Sequence, residues 1–151
     1  MDKQEKTAHT LNDLIAIARD GKSFYEEAAQ KVDDVELKNL FTRIAGIKGH
    51  LVSELGAVVQ AAGGTPEDSG TMVGAMQKMY GNVRATLGDK QYGYVAQLEE
   101  SEDRLIKAFN EVVQDSHTTE AARAVVTKLL PEVRASHDVM RNRKLAMKNA
   151  A

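Results

Sequence analysis

The chain has 151 residues, no cysteine and a formal net charge of −2 at pH 7. That length predicts one domain with a single sizeable core, and the lack of thiols removes disulfides, thiolate metal sites and redox cysteines. The near-neutral balance gives no electrostatic footprint for nucleic acid or an acidic membrane.

Apolar positions recur at three- and four-residue steps along most of the chain, the mark of amphipathic helices. Leu11, Leu14, Ile15, Ala18, Gly21, Tyr25, Ala28, Ala29 and Val32 make one stripe of a first helix over about 10–32. Thr10 and Asp13 resemble a capping box at its start, which leaves residues 1–9 as a flexible lead. Asp33 or Asp34 caps a second helix, whose stripe runs Leu37, Leu40, Phe41, Ile44, Ile47, Leu51, Leu55, Val58 and Ala62. GGTPEDSG (63–70) stops it, with glycine at the cap and proline soon after. A shorter amphipathic piece follows on Met72, Met76, Met79, Tyr80, Val83 and Leu87, closed by Gly88.

The next long helix spans about Lys90 to Ser116 on Tyr92, Val95, Leu98, Leu105, Phe109 and Val112. The last one carries Val125, Val126, Leu129, Val133 and Met140. Pro131 lies inside it, where a missing backbone donor predicts a kink. The basic tail RNRKLAMK (141–148) reads as a solvated helix end, since cations favour the negative pole of the macrodipole. No segment alternates like a strand.

Helices of 23 to 28 residues are about 35–40 Å long. Tight links make the first two antiparallel, and likewise the last two. The connection over 63–90 is far longer than a hairpin needs and suits one long crossover. The expectation is an all-α, single-domain four-helix bundle with a short crossover helix between the second and third long helices.

Five segments, LNDLIAIARDGKSFYEEAA, ELKNLF, GGTP, YVAQLEESEDRL and LLPEVRASHD, in that order, resemble a bacterial family of uncharacterised four-helix-bundle proteins, a domain of unknown function placed in the ferritin-like superfamily. The resemblance extends from about Leu11 to Arg143. It implies a ferritin-like fold and leaves activity open.

Ferritin-like di-metal sites take a Glu from each of two helices and a Glu-x-x-His pair from each of the others. Here Ile47 stands three residues before His50, and Arg134 three before His137, so neither pair is complete. The remaining candidate ligands are Glu26, His50, Glu54, Glu102 and His137, for iron or manganese. Glu102 is the most telling, because it falls within the apolar stripe of its helix, where a carboxylate is costly unless paired or bound to a cation. Its alternative partner is a base such as Arg134. His50 and Glu54 also fit a plain surface pair, and the methionines at 72–79 fit packing.

The sequence is compatible with three functions to different degrees. The first is a non-catalytic bundle acting through self-association, a dimer being the commonest closed form, or through a protein partner. The second is a metal-binding bundle with an altered site. The third, histidine phosphotransfer at His50, is disfavoured because Glu54 would repel a phosphoryl group. With no apolar leader and no bilayer-length run, the expected setting is cytoplasmic.

Overall fold

The computed structural model describes residues 1–71, 82–83 and 89–150. Four long helices make up the described chain: α1 Lys3–Lys31, α2 Val35–Ala61, α3 Lys90–Gln114 and α4 Glu120–Ala150. No strand occurs among the described residues, and none of their helices is long and apolar enough to cross a membrane.

The first helix begins seven residues before Thr10. Its true capping box is Asp2 and Glu5: the Glu5 amide donates to Asp2 Oδ1 at 2.8 Å, and the Asp2 amide to Glu5 Oε2 at 3.2 Å. Residues 3–9 are therefore helical, not a flexible lead. A tertiary contact holds this added turn, because Thr7 is buried with its hydroxyl 2.5 Å from that of Thr119. Asp34 caps α2 by accepting from the Leu37 amide at 3.0 Å, and Asp89 caps α3 by accepting from the Tyr92 amide at 3.0 Å. The third helix stops at Gln114, two residues short of Ser116. The fourth remains helical through Pro131.

A Schellman motif ends α2. The Gly64 amide donates to the Val59 carbonyl and the Gly63 amide to that of Gln60, both at 2.9 Å. Gly63 holds a φ of +80°, which glycine adopts freely. A Cβ there would meet nothing within 4 Å, so Gly63→Ala is expected to cost only the backbone term, about 1–2 kcal/mol. Urea midpoints measured with an unchanged m-value would check this.

The helix ends reveal the topology. At one end Thr7 meets Thr119, and Gly64 lies against Ala8. At the other end the Asp34 amide reaches Gln91 at 3.3 Å, and Arg143 reaches Glu36 at 2.5 Å. Thus α1 and α4 start at the first end, while α2 and α3 start at the second. Between Ala62 and Asp89 the chain travels from one end of the bundle to the other. Each helix packs against two antiparallel neighbours, in the cyclic order α1, α2, α4, α3.

The first stretch of this crossover is fastened to α1. Asn12 donates to the Thr65 carbonyl at 3.0 Å and accepts from the Glu67 amide at 2.7 Å, and Arg19 donates to the Glu67 carbonyl at 2.9 Å. Higher up, Asp20 accepts from the Thr71 amide at 3.0 Å, from the Thr71 hydroxyl and from Arg104 of α3 at 3.0 Å. Gly70 passes so close that a side chain there would collide with the Asp20 carboxylate. The helix expected over Met72–Leu87 lies outside the described residues except Asn82 and Val83, which are helical. Val83 is buried and belongs to the same apolar cluster as Tyr94 and Val95.

Two apolar clusters fill the interior. One gathers Leu11, Ile15, Leu55, Phe109 and Val126 near the α1 start, and the other Phe41, Leu37, Val95, Leu98 and Met140 towards the α2 start. Lys48, Glu102 and Ser136, near the middles of their helices, form a polar waist among the buried residues.

Candidate functional site

At the waist, Glu102 is enclosed. Its Oε1 accepts from Lys48 Nζ at 2.5 Å, and its Oε2 from the Tyr25 hydroxyl at 2.8 Å. The ion pair has side-chain exposures of 1% and 0%, so water screens neither charge. The ammonium also lies 5.9 Å from the Tyr25 ring centroid, within cation–π range. That ring meets Phe41 edge-on at 6.0 Å between centroids. Burial pulls the Lys48 pKa below its ordinary value, against the opposing pull of Glu102 and Glu132. Burial likewise drives the Tyr25 hydroxyl up, with help from the charge and hydrogen bond of Glu102. A carboxylate with a donor on each oxygen, sealed in the core, is built to hold three helices in register. It offers no access to substrate.

The five residues singled out by sequence do not meet at one point. Glu26 is exposed and pairs with Lys22 at 3.1 Å. His50 is exposed on the α2–α4 seam, with Nε2 3.4 Å from Glu54 and Nδ1 3.0 Å from Glu132. Glu54 also has Lys128 at 3.6 Å. Glu102 is committed to Lys48 from α2, whereas Arg134 is exposed.

His137 sits on the opposite seam, between α3 and α4. Its Nε2 lies 2.5 Å from Asp103 Oδ1, and its Nδ1 3.3 Å from Asp138 Oδ1. Burial tends to lower the pKa of this imidazole, but the hydrogen bonds and charges of the two aspartates outweigh it and the net direction is upward. Glu99 completes the group: one ligand atom from each of Glu99, Asp103 and His137 lies within 4.8 Å of the others. Among the described residues no other set of three such groups converges so closely.

Sequence reasoning missed Lys48, Asp20 and the pairing of Asp103 with His137. For Lys48 a signal existed. It lies seven residues after Phe41, four after Ile44 and three before Leu51, so it shares their face, whereas half-buried Ile47 lies at its edge.

These features define an all-α four-helix bundle with one end-to-end crossover, a sealed charge pair at its waist and a histidine–carboxylate group on its flank. The chain belongs to the family described as Domain of unknown function (DUF2383), whose model matches residues 6–115. The matched span takes in all but the first three residues of α1, then α2 and α3, and ends before α4, and so before His137. No curated protein and no solved structure matches the chain.

Proposed function

We propose that the protein is a non-catalytic, ferritin-like bundle that acts by association, with a second copy of itself first and a protein partner otherwise. One observation carries the reading. Ferritin-like bundles gather core carboxylates around metal ions, and here the cation on the inward carboxylate is the ammonium of Lys48, 2.5 Å from Glu102. Ile47 and Arg134 occupy the positions where such a site needs acids. The core residues do not fit an iron or manganese di-metal centre. The end-to-end crossover supports the ferritin-like assignment.

Association is supported by a groove of about 250 Å³ between α2 and α4, lined by Ile44, Ile47, Ala135 and Val139 among others. Val139 is an exposed large hydrophobic residue, and Leu145 lies further along the same helix. On the resemblance alone we extend the reading to a bacterial cytoplasm and a stress-associated role.

Chelator-treated protein given ferrous iron and oxygen is expected to develop no oxo-bridged di-iron absorption. Sedimentation of the same sample is expected to report a dimer. Two tightly held irons per chain that vanish in Glu102→Ala would overturn the non-catalytic reading. A monomer at every concentration would remove self-association.

A further inference from the structure

We propose that Glu99, Asp103 and His137 form a mononuclear site for a divalent first-row transition ion, Zn²⁺ above all, on the outer seam between α3 and α4. The inference goes beyond the association reading and stands or falls separately from it.

Glu99 and Asp103 are four residues apart on α3, so they share a face, and His137 reaches them from α4. Glu99 and His137 have side-chain exposures of only 12% and 15%. This is an imidazole and a carboxylate held by partial burial on two packed helices, unlike a scatter of solvated acids. Asp103, at 54% exposure, forms the open side through which an ion enters.

The geometry needs little adjustment. Bonds of about 2.1 Å put the ligand atoms of one ion about 3–3.5 Å apart. The present spread of up to 4.8 Å closes with modest side-chain rotation. Asp138 supplies the outer contact that metal-binding histidines commonly have: a carboxylate at Nδ1, which orients the ring and leaves Nε2 to the ion. Imidazole with carboxylates, and no thiolate, suits zinc, iron or manganese, and zinc binds most tightly of these at a given site. Lys144 Nζ, 3.4 Å from Glu99 Oε2, answers part of the negative charge in the metal-free form. Its flexible stem lets the ammonium swing into water when an ion arrives. Three protein ligands leave a fourth position for water or an outside ligand.

The test is calorimetric titration of the chelator-treated full-length chain with Zn²⁺, repeated with Co²⁺ to read ligand geometry from visible absorption. One equivalent is expected to bind, with saturable binding lost in His137→Gln and in Asp103→Asn. Asp138→Asn is expected to weaken it about 10–100-fold. His50→Gln, which removes the other histidine flanked by carboxylates across a seam, is expected to leave affinity unchanged. Because Asp103 is exposed, Asp103→Asn keeps the test sound should His137→Gln fold poorly. Zinc binding that is absent, that survives both ligand variants, or that follows His50 would overturn the proposal. None of these results bears on the sealed pair at Lys48 and Glu102.

Discussion

Lys48→Met is expected to destabilise the fold by about 3–5 kcal/mol, the cost of leaving a buried charge without its partner. Glu102→Gln is expected to fall in the same range, because it strands the ammonium instead. The double variant Lys48→Met/Glu102→Gln should recover a large part of the loss, since well-packed neutral groups often replace a buried pair at little cost. Denaturant unfolding of the four proteins closes the cycle. Additive losses in the double variant would show that the two side chains act independently and would sink the account.

The Glu102→Gln variant also carries a pH signature. Burial lowers the Lys48 pKa in the folded protein, and losing the Glu102 carboxylate takes away the larger of the two charges that oppose this, leaving only Glu132. The folded state then releases its proton before the unfolded one does, so the unfolded chain binds more protons in between. Stability must therefore rise with pH over the window below the unfolded lysine value of about 10.4. The rise should be steeper in Glu102→Gln than in the parent. A flat comparison of the two proteins from neutral to mildly alkaline pH would count against it.

Asp20→Ala is expected to cost about 2–4 kcal/mol, from the loss of three hydrogen bonds to one buried carboxylate at roughly 1.5–3 kcal/mol each, not fully additive. The effect should begin locally. The Thr71 amide loses its acceptor, Arg104 loses its ion pair, and hydrogen exchange at Thr71 should accelerate well before global unfolding. Arg104 is 45% exposed and can return to water, so Arg104→Met should cost only about 1 kcal/mol. An unaltered midpoint together with unaltered exchange in Asp20→Ala would refute the idea that this carboxylate latches the crossover.

Much of the scaffold was legible because the deciding signals are local. The apolar phase of Leu37, Leu40, Phe41 and Ile44 names the buried face of α2, and all four are buried. The inward placement of Glu102 came from the phase of Val95, Leu98, Leu105 and Phe109 on α3. The start of α1 was misjudged because two capping patterns compete, at Asp2 and at Thr10, and a contact between residues 112 apart, Thr7 with Thr119, favours the earlier one. Lys48 was overlooked because its charge masked its phase. Asp20 and Asn12 look like ordinary surface residues until the crossover lies on them. The meeting of Asp103 with His137 depends on how α3 and α4 rotate about their axes, which one sequence does not encode locally.

The alternation of helix directions around the bundle has an electrical consequence. Each end presents two amino termini and two carboxyl termini at alternating corners of the square, so the partial charges, about half a unit each, cancel to a quadrupole whose field fades over about the 8–10 Å spacing of the helices. An anion approaching along the long axis gains nothing from the four backbones together, and recognition falls to the side chains that line the flanks.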